Sequence, residues 1–196
     1  MERFLNEFEK ICMDANVVTM SGSVPKGVKK DIYKELTRKL KSWGKKVILD
    51  TSGELLKEGI EAAPDMIKPN QEELGMLIGR PVTTLEDAKK AALELHQAGI
   101  GQVVVSLGKD GALMVCRQGV YRGYPPKIPA VNTVGCGDSM VAAFAVAMQR
   151  DYGPEESLKY AVAVSAANAL SHKTGYFEQE ELEKIYPWVR IEKLEE

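Results

Sequence analysis

The sequence predicts an α/β fold in which a doubly wound, mostly parallel sheet is flanked by helices. Two observations support this prediction: short apolar runs alternate with amphipathic segments, and polar or glycine-rich stretches follow the apolar runs. Such alternation is typical of right-handed strand–helix–strand units, which build a parallel sheet. The chain of 196 residues has no linker, repeat or low-complexity tract, so residues 1–196 are expected to form a single domain.

The first half of the chain alternates strand and helix most regularly. Short apolar runs predict strands at 16–20, 46–50, 65–68 and 102–107. The segments before and between them carry apolar residues at helical spacing, which predicts helices at 2–13, 28–43, 53–62, 70–78 and 84–98. Strands separated by helices in this way are expected to pair in parallel.

The second half begins with a strand pair and continues with helices. The runs 112–116 and 119–124 are joined by "RQ" and are expected to form an antiparallel hairpin at the edge of the sheet. Helices are predicted at 138–150, 155–171 and 178–186, and "VRIEKL" is predicted as a last short strand. The alanine-rich "AVAVSAANAL" (161–170) is expected to pack between helices; alternatively, its small residues leave room for an adenine ring.

Composition excludes several classes of function. A net charge of −2 gives no field that would attract nucleic acid or an anionic membrane, and neither is expected as a partner. The longest apolar run, Met140 to Met148, is too short to span a bilayer, and the charged "MERFLNEFEK" does not resemble a signal peptide. Three cysteines without a CxxC pair (Cys12, Cys116 and Cys136) predict free thiols and a cytoplasmic location, and two distant histidines argue against zinc.

Polar residues collect where four of the predicted strands end. The loops are "SGSVPKG" after 16–20, "DTSG" after 46–50, "KPNQEE" after 65–68 and "SLGKDG" after 102–107. Because the carboxyl ends of parallel strands share one rim of a sheet, these loops are expected to surround one crevice. Each loop alone is also typical of an ordinary turn, and "DTSG" is interpreted as a helix cap.

The stretch "TVGCGD" (133–138) precedes the apolar helix predicted at 138–150. Its two glycines allow close approach of a ligand, and the amides of Gly135 to Asp138 would point outward at the positive end of the helix. That arrangement suits a phosphate, and Asp138 could accept a proton from an attacking hydroxyl. The alternative, an ordinary N-cap aspartate after a glycine turn, is equally consistent with the spacing.

Two further loops have both a functional and a structural interpretation. "SLGKDG" could hold phosphates with the Ser106 hydroxyl and backbone amides, although a glycine-containing hairpin turn explains its spacing as well. "KPNQEEL" places Asn70 and Glu73 at a helix start, where capping is their ordinary role. The functional interpretation is that both residues hold waters around a hydrated Mg²⁺, while Lys68 supplies positive charge to a nucleotide phosphate.

Taken together, these motifs resemble one family. "NTVGCGDSMVAAFAVAM" is similar to the C-terminal signature of the PfkB, or ribokinase-like, sugar kinases, "KPNQEE" to their NxxE motif and "SLGKDG" to their phosphate loop. "SGSVPKGV" and "LDTSGE" resemble the branch of 1-phosphofructokinases and tagatose-6-phosphate kinases. The motifs occur in the family's order between residues 16 and 175, and the resemblance implies a ribokinase-like fold.

The resemblance implies a role for each motif residue. Asp138 would be the catalytic base that deprotonates the attacking sugar hydroxyl, and the amides of Gly135, Cys136 and Gly137 would form the anion hole for the transferring phosphoryl group. The residues implied to bind ATP and its Mg²⁺ come from three motifs and the alanine-rich helix: Lys68, Asn70, Glu73, Ser106, Gly108, Gly111, Ala166 and Asn168. Ser21 and Gly22 would lie near the sugar, together with Asp138.

The implied activity is ATP-dependent phosphorylation of a phosphorylated ketohexose, foremost fructose 1-phosphate to fructose 1,6-bisphosphate. Tagatose 6-phosphate and a non-catalytic nucleotide-binding role are the alternatives. Family members carry a further N-terminal segment with a lid over the sugar, so the chain is expected to be the C-terminal portion of a larger kinase. Turnover by the chain alone is left open, and a homodimer is an assembly compatible with the resemblance.

Overall fold

Seven strands of the computed structural model, which describes residues 2–195, form one sheet in chain order. The strands are β1 Val17–Ser21, β2 Lys46–Asp50, β3 Met66–Ile67, β4 Gln102–Ser106, β5 Ala112–Cys116, β6 Gly119–Tyr124 and β7 Arg190–Leu194. β1 to β4 pair in parallel, whereas β5, β6 and β7 each pair antiparallel with the preceding strand. The predicted α/β class and the parallel first half are therefore confirmed.

Within the described residues, one helix precedes the strands and seven more connect or follow them. They are α1 Glu2–Met13, α2 Ile32–Ser42, α3 Gly53–Gly59, α4 Gln71–Ile78, α5 Leu85–Gln97, α6 Cys136–Gln149, α7 Pro154–Ala169 and α8 Gln179–Ile185. Short 3-10 turns follow α3 (Ile60–Ala62), β4 (Gly108–Asp110) and α8 (Tyr186–Trp188).

The sheet separates two apolar cores. Buried side chains of α1 to α5 form one cluster with one face of the sheet, and those of α6 to α8 form a second cluster with the other face. The central strands are buried on both faces, since Val103, Val104 and Val105 of β4 have no exposed surface. Continuous apolar runs are the pattern expected for strands covered on both sides, so the helices on both faces confirm the doubly wound prediction.

Two predicted helix starts and one predicted position in the sheet were wrong. Helix α2 begins at Ile32 rather than at 28, because two consecutive turns precede it: Val28 N–H donates to the Pro25 carbonyl and Ile32 N–H to that of Lys29. Helix α6 begins at Cys136 rather than at 138, with Gly135 as its N-cap. The β5–β6 hairpin does not lie at the edge of the sheet, because β7 pairs with β6 along its outer side.

The carboxyl ends of β1 to β4 lie on one rim, as parallel pairing requires. Hydrogen bonds tie the loops on this rim together: Gly22 N–H donates to the Asp50 carbonyl at 3.0 Å, and Ser106 N–H donates to that of Pro69 at 3.0 Å. Strand β3 has only two residues, since Pro64 and Pro69 flank it and cannot donate to a neighbouring strand. The rim is consequently a connected surface made of four loops.

Candidate active site

A polar cleft of about 420 Å³ opens on this rim. Its walls come from the ends of β1 to β4 and from the first turn of α6, and the lining residues are Gly22, Ser23, Asp50, Thr51, Ser52, Leu55, Lys68, Asn70, Glu73, Ser106, Gly137 and Asp138. The sequence-based expectation that four polar loops surround one crevice is thus met. The cleft brings six residues of the predicted site together with Gly22 of the predicted sugar-binding loop.

Lys68 and Asp50 form a buried ion pair in the cleft. The Lys68 ammonium lies 3.3 Å from Oδ1 of Asp50, and the two side chains are 7% and 17% exposed. Burial raises the pKa of the Asp50 carboxyl; Lys68 opposes that rise, while the nearby charges of Glu73 and Asp138 add to it. The carboxylates of Glu73 and Asp138 therefore both lie within electrostatic reach of Asp50.

Asp50 is a site residue that the sequence interpretation missed. "DTSG" was interpreted as a helix cap, and Ser52 is indeed the N-cap of α3, although its side chain makes no capping hydrogen bond. Asp50 instead ends β2 and lines the cleft opposite Lys68. The available signal was its position, since a carboxylate directly after the apolar run "VIL" lies at the rim where the other polar loops meet.

The start of α6 forms part of the cleft wall. Gly135 caps the helix with φ of 83°, so Asp138 is the third helical residue and not an N-cap, which corrects the structural alternative. The Cys136 amide already donates to the Thr133 carbonyl at 3.3 Å. Among residues 2–195, no protein acceptor is found for the amides of Gly137 and Asp138.

Lys68 approaches this helix start closely. A β-carbon built on Gly137 would lie 3.4 Å from the Lys68 ammonium nitrogen, so a side chain at Gly137 would meet that group. The helix start, with its partial positive charge, and the ammonium therefore lie side by side on one wall of the cleft. An anion entering between them would be attracted by both.

Asn70 and Glu73 form a reciprocal capping box at the start of α4. The Asn70 side-chain oxygen accepts from the Glu73 amide at 2.8 Å, and a Glu73 carboxylate oxygen accepts from the Asn70 amide at 2.9 Å. The capping role is therefore real, and both residues also line the cleft.

The oxygen donors of the cleft are of the type that Mg²⁺ prefers. Asp50 and Glu73 offer carboxylates from neighbouring loops. No group of three or more His, Cys, Asp and Glu side chains placed to hold a metal occurs within the described part of the chain. Mg²⁺ keeps several of its waters and is often bound through one or two carboxylates, so these residues fit a hydrated Mg²⁺.

A larger cavity of about 790 Å³ adjoins the cleft. Ser106 and Gly137 line both spaces, so the two lie next to each other at the start of α6. The predicted nucleotide residues that line the cavity are Ser106, Gly108, Gly111 and Ala166, and it is also bounded by Cys136. Apolar side chains of Ile128, Met140 and Val162 complete a wall suited to a flat ring.

Three predicted residues line neither space. Asn168 is fully buried, and its side chain bonds Ser139, the Val134 carbonyl and the Tyr176 amide, so it supports the start of α6 and does not touch the cavity. Gly135 is covered by the chain around Gly175, since a β-carbon built on Gly135 would lie 2.7 Å from the Gly175 nitrogen. Ser21 ends β1, where its carbonyl accepts from the Tyr33 hydroxyl at 3.1 Å.

The described helices contain no segment that combines the length and apolarity needed to cross a bilayer. The three cysteines are free thiols; Cys12 and Cys116 are buried, and burial raises the pKa of both.

Comparison with known proteins finds one matching family and several relatives that share the same name. A model of the family described as "pfkB family carbohydrate kinase" matches residues 1–181. The 1-phosphofructokinase of Bacillus subtilis is 33% identical over 191 residues, which are 97% of this chain and 62% of that relative. The chain thus spans less than two thirds of the length of the curated relatives it matches.

Solved structures agree with this result. Phosphofructokinase-2 from Escherichia coli, in complex with potassium, superimposes with a TM-score of 0.87 at 33% identity, over 93% of this chain and 61% of the other. The same enzyme in complex with fructose-6-phosphate gives a TM-score of 0.83 at 31% identity, over 93% and 60%.

Proposed function

The chain belongs to the pfkB family of carbohydrate kinases, and we propose that it transfers the γ-phosphoryl group of ATP to a phosphorylated ketohexose. Fructose 1-phosphate is the proposed acceptor, because a relative 33% identical is named 1-phosphofructokinase. The observation that carries the proposal is the meeting of cleft and cavity at Gly137, next to Asp138. We further propose that residues 1–196 act as one nucleotide-binding domain.

In the proposed reaction, the nucleotide occupies the larger cavity and the sugar phosphate occupies the cleft. The sugar hydroxyl oxygen attacks the γ-phosphorus, the bond from that phosphorus to the β-γ bridging oxygen breaks, and ADP leaves. The hydroxyl proton passes to the Asp138 carboxylate. Asp138 suits this role because it is exposed in the cleft, and no acceptor is found among residues 2–195 for its own amide or that of Gly137.

Stabilisation of the transferring group is assigned to the positive groups on one wall of the cleft. The amides of Gly137 and Asp138 and the Lys68 ammonium would face the phosphoryl oxygens, and they are held in place before the substrate binds. Mg²⁺ would supply positive charge to the phosphates of ATP when bound, and Asp50 and Glu73 are the residues proposed to hold its waters, with Asn70 beside them. Ser106, Gly108 and Gly111 are proposed to contact the nucleotide phosphates.

Fructose 6-phosphate is a second candidate acceptor. The observation that favours it is the superposition with a phosphofructokinase-2 in complex with that sugar phosphate. The two candidates differ in the position of the reacting hydroxyl, and the residues of the cleft can be tested against both. Tagatose 6-phosphate enters the same comparison.

The first test is ADP formation by the purified chain with MgATP and each of the three sugar phosphates, alongside calorimetric titration with MgATP. Turnover with fructose 1-phosphate as the preferred acceptor is the expected result. Nucleotide binding without turnover for any acceptor would favour the non-catalytic alternative. Failure to bind MgATP would refute the assignment of the cavity.

The second test replaces the proposed base. Asp138→Asn is expected to lower kcat by about 10²- to 10⁴-fold with little change in the MgATP dissociation constant, because only the proton acceptor is lost. Asp151→Asn is the matched control, since Asp151 follows the opposite end of α6 and pairs with Lys46. Equal losses of activity in both variants would contradict the role of Asp138.

Two further predictions concern the setting of the enzyme. We propose that the chain acts on small molecules in the cytoplasm, on the basis of its free thiols.

A homodimer is proposed as its assembly, and the outer edge of β1 supports self-association, since no described strand pairs with that edge. Sedimentation of the purified chain at several concentrations would test the dimer.

A further inference from the structure

Arg122 is a buried arginine that the proposed mechanism does not use. It lies in β6 with 5% of its surface exposed, directly behind the Gly108–Asp110 turn that borders the nucleotide cavity. Its guanidinium donates to the Ala112 carbonyl at 3.0 Å and to the Gly123 carbonyl at 2.9 Å, and a further bond joins it to the Asp110 carbonyl. All three acceptors are backbone oxygens.

This arginine has no carboxylate partner among the described ion pairs, and its Nε is buried without an acceptor in the described residues. Burial lowers the pKa of the guanidinium, which nevertheless stays charged because arginine titrates far above neutral pH. The carboxylates of Asp110 and Glu192 favour its charged form from nearby, but neither forms an ion pair with it among the described residues, so burial of this charge is costly to the fold. An apolar residue would fill this position in β6 at lower cost if packing were the only requirement.

The ring of Tyr124 holds the guanidinium in place. The Arg122 guanidinium carbon lies 4.7 Å from the ring centroid, and that of Arg190 in β7 lies 4.0 Å from the same centroid. The Tyr124 hydroxyl donates to Glu192 at 3.0 Å, which anchors the ring to β7. Arg122 is therefore fixed between the 108–111 turn and strand β7, which forms one edge of the sheet.

The bonds of Arg122 determine how the turn ends. Asp110 and Ala112 flank Gly111, which adopts φ of 86° and ψ of −127°. The guanidinium donates hydrogen bonds to the carbonyls on both sides of that glycine and so fixes their orientation. Its positive charge also offsets the partial negative charge of these carbonyl oxygens, which lie behind the turn proposed to bind phosphate.

We propose that Arg122 is a positioning residue for ATP: it holds the 108–111 turn from behind so that the turn can bind the nucleotide phosphates. This inference rests on the proposed function, because it requires that the turn contacts phosphate. It predicts that loss of Arg122 weakens binding of the phosphate groups while leaving the contacts of the nucleoside intact. A role limited to stability would make no distinction between the two.

The experiment compares dissociation constants for MgATP and adenosine, measured by competition with a fluorescent nucleotide, in Arg122→Met, Arg122→Lys and Arg117→Gln. Arg117, the control, is an exposed arginine at the far end of the same β5–β6 hairpin. Arg122→Met is expected to weaken MgATP about tenfold or more, the scale of a lost charge-assisted hydrogen bond, with adenosine changed less than about twofold. Arg122→Lys is expected to be intermediate, because lysine keeps the charge without the planar fork.

Hydrogen exchange provides a second measurement that needs no ligand. The amides of residues 109–111 are expected to exchange faster in Arg122→Lys than in the Arg117→Gln control, and this variant serves if Arg122→Met fails to fold. Equal weakening of MgATP and adenosine, or unchanged MgATP affinity, would overturn the inference while the proposed function stands. If the unaltered chain does not bind MgATP, the proposed function fails first and the role of Arg122 fails with it.

Discussion

Gly108 and Gly111, the two glycines of the 108–111 turn, look alike in the sequence but differ in their surroundings. A β-carbon on Gly111 would lie 2.2 Å from the Gly123 carbonyl oxygen and 2.7 Å from the Pro125 ring, whereas one on Gly108 would meet no atom within 4 Å. Both glycines have positive φ, 86° and 57°. We therefore predict that Gly111→Ala destabilises the fold much more than Gly108→Ala does.

The expected magnitudes follow from separate contributions. Positive φ costs an alanine about 1–2 kcal/mol at Gly108 and at least as much at Gly111, whose ψ of −127° lies outside the left-handed helical region, and the smaller entropy of the unfolded alanine chain returns roughly half a kcal/mol. Only at Gly111 does overpacking against backbone add a further cost of about 1–3 kcal/mol. Gly108→Ala should thus lose about 1 kcal/mol and Gly111→Ala about 2–4 kcal/mol of unfolding free energy.

The assay is urea unfolding of both variants beside the unaltered chain, with midpoints and slopes compared. Equal destabilisation of the two variants would refute the reasoning, since it would mean that the turn does not approach β6 closely. Binding gives a complementary result: Gly108→Ala, which keeps its fold, is expected to weaken MgATP if the turn lies against phosphate.

Two other predictions concern charged groups. The capping bonds with Thr84 and Thr83 lower the pKa of Asp87 to about 2, below its unfolded value, so its contribution to stability is complete above that unfolded value and is lost as the pH falls through about 2. Asp87→Asn should therefore destabilise the chain at pH 7 and have little effect near pH 2, as measured by urea unfolding at both pH values. Lys68→Met should raise the pKa of the Asp50 carboxyl further and weaken MgATP, because Lys68 opposes the effect of burial; NMR titration of Asp50 and calorimetry would detect the two changes.

The order of strands and helices was predictable because each element carries its own periodicity. Uninterrupted runs such as "VVV" at 103–105 are buried on both faces, and Ile32, Leu36 and Leu40 recur at the spacing of one helix face. The pairing of β7 with β6 was not predictable in the same way. It joins residues about seventy positions apart, and the strand itself is mostly exposed.

The site was predictable in its loops but not in the function of each residue within them. Family motifs indicated the residues around Asp138 and Lys68, which line one cleft. They did not reveal that Asp50 pairs with Lys68, because an aspartate before "TSG" is also typical of a helix start. Nor could sequence separate Gly108 from Gly111, since the difference lies in a contact with β6.

Asn168 shows why contact with a ligand was the wrong expectation for one polar residue. It is a fully buried amide in an alanine-rich helix, and a buried amide must find partners or destabilise the core. Its oxygen accepts from Ser139 and from the Tyr176 amide, both at 3.1 Å, and its nitrogen donates to the Val134 carbonyl at 3.2 Å. One side chain thereby connects α7, α6 and the segments on either side of them.

The buried Asn168 amide forms its hydrogen bonds where they hold the start of α6, which lines the candidate site. The Val134 carbonyl lies just before the Gly135 cap, so Asn168 fixes the point at which α6 begins. The neighbouring Ser165 hydroxyl donates to the Cys136 carbonyl at 3.1 Å and holds the first turn from the same helix. The proposed base and the amides of Gly137 and Asp138 can stabilise a transition state only if they are held in position beforehand, and Asn168 helps to hold them from inside the core without lining the cleft or the cavity.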